Sequence, residues 1–330
     1  MKAAIVGIAG PVLTGVEAAM LRAHRPAGVV LFARNIENPA QLRALTAALR
    51  RVLPDGAGIL VDQEGGRVAR LRPPHWHAHP PAAEFGRMFT ATPMRALRAA
   101  WLTGALIGLD CADAGFDLVA APVLDVAVPG AHEVIGDRAF ASDPVTVARL
   151  GRAVGQGLLA AGVQPIAKHA PGHGRAEVDS HAALPHVRTI DLGPDILPFA
   201  LNADLPWAMT AHILYTALDA DHPATLSATI IGRIIREKIG FKGVLVTDDL
   251  AMDALSGSPA ERALAALAAG CDIALYCTGE LEATEALLQA CLQVSDESAA
   301  RLAAARAMAR RHRVALDAAA LSAERDRILA

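Results

Sequence analysis

Short apolar runs alternate with longer amphipathic stretches along most of the chain. The runs are rich in β-branched residues and almost continuous in apolar character, which is typical of strands buried on both faces of a parallel sheet. Each run is followed by turn residues and then by a stretch with helical spacing. The eight runs are AAIVGIA (3–9), GVVLFA (28–33), GILVD (58–62), DLVAAPV (117–123), VQPIAK (163–168), WAMTAH (207–212), GVLVTD (243–248) and CDIALYC (271–277).

The stretches between the runs carry local helix signals. Asn38-Pro39 precedes leucines at helical spacing, and a Ser-Asp-Pro start at 142–144 precedes a similar pattern. Ser227 can cap a helix that contains several isoleucines, and Ser258 begins a segment with capping-box spacing. Eight strand-helix units predict an α/β fold, a (β/α)8 TIM barrel. A doubly wound open sheet is the alternative.

The chain shows no internal boundary that would divide it into two domains. It contains no Ser/Gly-rich tract, charge block or repeat of 20 to 50 residues. We therefore expect one catalytic domain over 1–330, in which about 281–330 forms mostly C-terminal helices packed on the barrel. The basic cluster at 310–313 is more typical of a solvated helix face than of an RNA site.

Composition narrows the range of partners. The net charge of -3 and the pI near 6.5 provide no global basic field, so we expect no nucleic-acid partner. No stretch approaches the ~18 unbroken apolar residues of a membrane span. The four cysteines form no CxxC pair and read as buried thiols in a reducing compartment. We expect a cytoplasmic monomer.

The segment KHAPGHGRAEVDSHAALP (168–185) concentrates reactive side chains. Pro171 and two glycines forbid a continuous helix there, and no alternating apolar pattern indicates a strand. The segment therefore reads as a long loop, and loops of this length in compact domains are usually functional or mobile. Its reactive residues are Lys168, His169, His173, Asp179 and His181.

Polar residues also stand at the ends of other predicted strands. In a barrel of this class, catalytic groups lie at the C-terminal strand ends and in the loops that follow. A single Asp at such a junction is more often a helix cap, but capping explains the whole set poorly. The set comprises Asp62, Arg138, Lys168, His169, His212, Asp248 and Asp249.

Several of these segments carry a family resemblance. VDQEGGRVARLR, IGDRAFASDP, KHAPGHG followed by DSH, and VTDDLAM resemble the signature segments of the glycoside hydrolase family 3 β-N-acetylglucosaminidases of the bacterial peptidoglycan-recycling type. LFARNIENPAQL and AHILYTALD also resemble family segments. The matches occur in order across about 28–255, and each is several residues long.

The resemblance implies a retaining mechanism through a covalent glycosyl-enzyme intermediate. Asp248 matches the family nucleophile, while its neighbour Asp249 is a local competitor that can instead cap the following helix. His181 matches an acid/base that replaces the second carboxylic acid of most retaining glycosidases, and Asp179 matches the residue that orients it. An unperturbed imidazole titrates near ~6.5, which suits both proton donation and proton abstraction near neutral pH.

The resemblance also implies the sugar-binding residues and the substrate. Asp62 is expected to accept hydrogen bonds from ring hydroxyls, and Arg70, Arg138, Lys168 and His169 are expected to donate. For His173, substrate contact and a role in loop folding both stay open. Trp207 and Met252 are expected in the core or wall. The expected substrate is a muropeptide fragment with β-1,4-linked N-acetylglucosamine on anhydro-N-acetylmuramic acid, and no cofactor or metal is implied.

Other functions on the same residues stay open. A phosphorylase or a β-glucosidase fits the same scaffold, since an imidazole acid/base repels phosphate less than a carboxylate does. A zinc hydrolase would use His169 and His173, but the Pro-Gly pair between them breaks the helix that an HExxH-like site needs. A non-catalytic sugar-binding barrel would not need Asp179, His181 and Asp248 to be present together. The chain departs from the family at Ala170, where a bulky aromatic residue is common.

Overall fold

Eight parallel strands close into a barrel in the computed structural model of this protein, which describes residues 1–178, 180, 183–189 and 191–330. Strands that are consecutive in the barrel series are neighbours in space, and the first strand pairs with the last, as Ala4 with Ala274. The barrel strands are β1 (Lys2–Gly7), β2 (Pro26–Leu31), β3 (Gly58–Val61), β4 (Leu118–Val119), β5 (Gln164–Ala170), β6 (Trp207–Thr210), β7 (Val244–Asp249) and β8 (Ile273–Tyr276).

The predicted barrel is confirmed strand by strand, because each apolar run overlaps one barrel strand. Every residue of β2 and of β5 is buried, as expected for strands covered on both faces. The stretch from residue 168 to 185 differs from prediction at its start. Lys168, His169 and Ala170 extend β5, where Ala170 pairs with Thr210 of β6. Among the described residues, two short strand pairs lie outside the barrel, Gln63–Gly65 with Val68–Ala69 and His186–Val187 with Leu214–Tyr215.

Helices cover the outside of the barrel. Asn38 caps α2 (Pro39–Arg50) by accepting a hydrogen bond from the backbone N–H of Gln41. Ser258 forms a complete capping box with Glu261 at the start of α7 (Pro259–Ala269). At α5 (Pro144–Ala160) the capping side chain is Asp143, which accepts from Thr146. The helices are α1 (Gly15–His24), α2 (Pro39–Arg50), α3 (Ala82–Ala91), α4 (Pro93–Asp113), α5 (Pro144–Ala160), α6 (Gly193–Ala200), α7 (Pro259–Ala269), α8 (Leu281–Ala290), α9 (Asp296–His312) and α10 (Ala318–Leu329).

The helix predicted after Ser227 is a π-helix, Ile230–Lys238. Ser227 does cap it, since its Oγ accepts a hydrogen bond from the Ile230 N–H at 3.1 Å. The wider turn of a π-helix places residues five apart on one side, and Ile230 and Ile235 are both fully buried. The π-helical turn in place of the predicted α-helical one therefore goes together with the packing of these isoleucines against the barrel.

The segment after Leu281 forms helices on the barrel exterior, as predicted, and residues 310–313 are exposed. α10 packs on α4, where Arg98 forms a double hydrogen bond with Glu324 at 2.7 Å. The buried Arg325 of α10 donates to Nδ1 of His79 at 3.1 Å. No helix of the described residues is both long and apolar enough to cross a membrane. The assignment of 1–330 to one catalytic domain stays a prediction.

Candidate active site

A cavity of about 460 Å³ lies at the C-terminal ends of the barrel strands. A volume of this order is typical of small-molecule sites. Eight residues singled out in the sequence line it together, although they come from distant parts of the chain. They are Asp62, Arg70, Arg138, Lys168, His169, His173, Asp248 and Asp249. Asp179 and His181, the predicted acid/base pair, lie outside the described residues.

Lys168 joins two carboxylates on one wall of the cavity. Its Nζ lies 3.0 Å from Asp62 Oδ1 and 2.7 Å from Glu64 Oε1. Asp62 follows β3 directly, and Arg70 donates to its other oxygen at 3.1 Å. Burial opposes ionisation, but the positive charges of Lys168 and Arg70 lower the pKa of Asp62. Despite burial, the two carboxylates raise the pKa of Lys168, so this wall is an ionised network at neutral pH.

Glu64 is the centre of that network and was missed as a site residue. Arg138 donates two hydrogen bonds to its carboxylate, from Nε at 2.9 Å and from Nη2 at 2.8 Å. Although burial works against the charge, Lys168 and Arg138 lower the pKa of Glu64 to about 2. The sequence did contain a signal, because Glu64 stands two positions after Asp62 in the quoted segment VDQEGG. The sequence does not show that the side chains of Glu64 and Arg138 meet in the folded protein.

Arg67 braces the neighbouring wall. Its Nη2 donates to the carbonyl oxygens of Glu133 at 2.7 Å and Val134 at 2.8 Å, and its Nε donates to Asp137 at 3.0 Å. Arg138 donates to the same Val134 carbonyl at 3.0 Å. The guanidinium of Arg67 therefore connects the turn after β3 to the loop that carries Arg138.

Asp248 stands near the end of β7 and faces the cavity. Its Oδ1 accepts a hydrogen bond from the backbone N–H of Asp249 at 2.8 Å. Burial would raise its pKa, but the nearby His169 and His212 and this N–H lower the pKa of Asp248 below the ordinary value. The side chain is therefore an ionised carboxylate at neutral pH, held by a strand end and a backbone donor.

Asp249 fixes the strand end on which Asp248 stands. Its Oδ1 accepts from the backbone N–H groups of Ala251 and Cys277, each at 3.0 Å, and so ties β7 to the end of β8. The suggestion that Asp249 caps the following helix is wrong, because α7 begins only after Ser258. Burial, together with the neighbouring Asp248 charge, raises the pKa of Asp249.

His212 lies behind this strand end rather than in the cavity. It is fully buried, with Nε2 2.9 Å from the carbonyl oxygen of Asp249 and Nδ1 2.7 Å from Oγ1 of Thr225. Since the carbonyl can only accept, Nε2 carries the proton. Burial lowers the pKa of His212. His212 thus supports the backbone next to Asp248.

Asp125 is a second residue that the sequence analysis missed. It is 0% exposed and accepts three hydrogen bonds, from His169 Nδ1 at 2.7 Å, His169 N at 3.1 Å and His173 N at 2.7 Å. Val123 bridges to Lys168, so the chain after β4 runs beside the end of β5 and brings Asp125 opposite His169. Despite burial, His169 and His173 lower the pKa of Asp125. Its signal was a single Asp within the apolar segment PVLDVAV.

His173 contacts Ser180, the described residue between Asp179 and His181 in the sequence. Its Nε2 lies 3.1 Å from Oγ of Ser180, and both side chains line the cavity. Burial and the neighbouring His169 lower the pKa of His173 to about 4, so its imidazole is neutral at neutral pH. Met252 and Trp207 are buried, as predicted, and Trp207 donates to Gln164 at 2.9 Å.

Within the described part of the chain, no group of three or more His, Cys, Asp or Glu residues is placed to bind a metal ion. His169 and His173, which a zinc hydrolase would use, are instead hydrogen bonded to Asp125 and Ser180. The arrangement is suited to binding a hydroxyl-rich molecule between ionised side chains, with Asp248 as a fixed carboxylate beside it.

The chain is similar in sequence to known bacterial proteins. The family profile described as Glycosyl hydrolase family 3 N terminal domain matches residues 11–315. A protein named beta-hexosaminidase from Bordetella pertussis is 40% identical over 288 residues, which cover 84% of this chain and 80% of that protein. A beta-hexosaminidase from Methylobacillus flagellatus is 37% identical over 306 residues, which cover 91% of this chain and 87% of that protein.

Solved structures show the same architecture. NagZ from Neisseria gonorrhoeae, in complex with N-trifluoroacetyl-D-glucosamine, matches with a TM-score of 0.87 at 31% identity, covering 99% of this chain and 97% of that one. A family 3 beta-N-acetylglucosaminidase from Paenibacillus matches with a TM-score of 0.84 at 29% identity, covering 99% of this chain and 66% of that one. The (β/α)8 barrel is thus shared with sugar-processing enzymes.

Proposed function

The chain belongs to glycosyl hydrolase family 3, and from this premise we propose that it is a retaining exo-β-N-acetylglucosaminidase. It removes terminal non-reducing N-acetylglucosamine through a covalent glycosyl-enzyme intermediate. The observation that carries the proposal is Asp248, an ionised carboxylate fixed at the end of β7 and facing the cavity.

In the proposed first step, Asp248 attacks the anomeric carbon and forms an ester bond with it. The bond between that carbon and the leaving oxygen breaks, and His181 donates its proton to the leaving oxygen. Asp179 holds the tautomer of His181 and stabilises the imidazolium. In the second step His181 takes a proton from water, the water oxygen attacks the anomeric carbon, and Asp248 leaves as a carboxylate. The anomeric configuration is therefore retained.

The proposed sugar contacts come from the ionised wall. Asp62 accepts from ring hydroxyls, while Arg70, Arg138, Lys168 and His169 donate around the sugar and its acetamido group. The hydrogen bonds of Lys168 to Asp62 and Glu64 support this assignment, because they hold the ammonium group in place before the sugar binds. Asp125 supports His169 in the same way.

The proposed natural substrate is a muropeptide fragment, N-acetylglucosamine linked β-1,4 to anhydro-N-acetylmuramic acid, processed in cell-wall recycling. The names of the relatives support the sugar, since they are beta-hexosaminidases, and a structural neighbour was solved with an N-acylated glucosamine. A cytoplasmic monomer acting on a small soluble sugar completes the proposal.

The decisive experiment combines variants with product analysis. Asp248→Ala is expected to abolish hydrolysis of an aryl β-N-acetylglucosaminide, and His181→Ala to slow it by about 10²–10⁴-fold. Asp253→Ala, an exposed carboxylate in the loop after β7, is the matched control and keeps wild-type turnover. Turnover like that of the wild type in Asp248→Ala would contradict the proposal.

The same assay separates the alternatives. Aryl N-acetylglucosaminide, glucoside and xyloside are compared side by side, and the anomer first released is read by NMR. Retention with a preference for the N-acetylglucosaminide is expected. A preference for the glucoside would indicate a β-glucosidase, and a sugar 1-phosphate formed in phosphate buffer would indicate a phosphorylase.

A further inference from the structure

The Pro-Gly-His-Gly turn after β5 is held from three directions. The hydroxyl of Tyr215 donates to the carbonyl oxygen of Gly172 at 2.5 Å. The carboxylate of Asp125 accepts from the His173 N–H at 2.7 Å. Gly174 approaches the carbonyl oxygen of Val126 so closely that a Cβ built on it would lie 1.8 Å from that oxygen. The backbone of His173 is therefore fixed.

The side chain of His173 is fixed as well. It is 2% exposed, its ring lies edge-on to that of His169 with centroids 5.5 Å apart, and its Nε2 is 3.1 Å from Oγ of Ser180, also 2% exposed. A hydrogen bond between two buried groups is costly to break, since neither partner finds water in exchange. Of the two roles left open for His173, the geometry favours the anchoring of its own loop.

We propose that His173 and Ser180 form a positioning pair that anchors the segment carrying the acid/base. This inference rests on the proposed function, in which Asp179 and His181 perform the proton transfers. Ser180 stands between these two residues in the sequence. Peptide bonds join Ser180 directly to Asp179 and to His181, so the proposed positioning acts through the chain itself. Neither member of the pair takes part in the chemistry itself.

Acid assistance gives the pair a specific signature. A poor leaving group needs its oxygen protonated as the glycosidic bond breaks, whereas a good leaving group departs without help. If Ser180 positions the acid, its loss should slow poor leaving groups selectively. A purely structural defect would slow all substrates by the same factor.

The test is the dependence of kcat/KM on the pKa of the leaving phenol in a series of aryl N-acetyl-β-glucosaminides. For retaining enzymes this constant reports the steps up to formation of the glycosyl-enzyme. Ser180→Ala is expected to lower kcat/KM about tenfold or more on the phenyl glycoside and less than about threefold on the dinitrophenyl glycoside. The tenfold loss is a fraction of the whole rate effect of a general acid. Ser298→Ala, a buried hydrogen-bonded serine on α9, is the control with wild-type dependence.

Ser180→Cys keeps the size and a weak donor, and it should fall between Ser180→Ala and the wild type. It also serves as the test variant if Ser180→Ala does not fold. A uniform loss across the series, or the wild-type dependence, would overturn the positioning pair.

His181→Ala separates this inference from the proposed function. If His181→Ala shows a steep dependence and the Ser180 variants do not, the pair alone is wrong. If His181→Ala itself shows the wild-type dependence, the acid/base assignment is wrong and the positioning pair falls with it.

Discussion

Glu64→Gln tests whether the wall of the cavity is the ionised network that the distances indicate. The substitution preserves shape and one carbonyl oxygen but removes the negative charge between Lys168 and Arg138. Those two groups donate to Glu64 at 2.7 Å and at 2.8 and 2.9 Å. The variant thus leaves two cations facing each other in a largely buried position.

The magnitude follows from the pKa of Glu64, which falls from an ordinary 4.5 to about 2 in the folded protein. At about 1.4 kcal/mol for each unit of pKa, the charge contributes about 3 kcal/mol to the free energy of unfolding. Because the folded pKa is depressed, this contribution is complete above about pH 4.5 and is lost as the pH falls towards 2. At pH 3 about 1.4 kcal/mol remains.

Urea unfolding of the wild type and the variant at pH 7, 4 and 3 measures this contribution. The difference in free energy of unfolding should be about 3 kcal/mol at pH 7 and should at least halve by pH 3. Glu37→Gln, an exposed position, should change stability by no more than about 0.5 kcal/mol. A difference that stays constant from pH 7 to 3 would refute the reasoning, because it would not come from the charge.

Two further predictions concern individual contacts of the fold. Gly174→Ala forces a methyl group against the carbonyl of Val126 and should lower the free energy of unfolding in urea by about 3 kcal/mol. Gly232→Ala, with open space around it, should lower it by less than about 1 kcal/mol, and equal losses would contradict the close approach. Burial and the Arg325 charge lower the pKa of His79, so the thermal stability of the wild type should fall as the pH drops below about 6.5. Arg325→Met should weaken this pH dependence, and a variant with the same pH dependence as the wild type would contradict the contact.

The barrel could be predicted because each strand carries its own signal. Continuous apolar runs and local caps such as Asn38 and Ser258 need no knowledge of the rest of the chain. The π-helix at Ile230–Lys238 could not be predicted, because the hydrogen-bond pattern depends on how its isoleucines meet the barrel. The short pairing of Gln63–Gly65 with Val68–Ala69 was not predicted, although both pieces lie within the motif VDQEGGRVARLR.

The site residues that lie within recognisable sequence motifs could be predicted. Residues whose place in the site depends on contacts between distant parts of the chain could not. Asp62, Arg70, Lys168 and Asp248 could be found from their segments, and they line one cavity. Asp125 could not be found, since a lone Asp after a strand is most often a cap, and only its three hydrogen bonds reveal its place under His169.

The pairing of β1 with β8 also bears on how the protein folds during synthesis. Ala4 and Ala274 are register partners, so 270 residues separate two neighbours in the barrel wall. At about 5–20 residues per second, β1 waits about 14–54 s on the ribosome before its partner exists. During that interval its apolar edge is open to wrong pairing with other chains. Closure of the ring is therefore a late and long-range event, and the emerging chain should depend on chaperones until β8 is made.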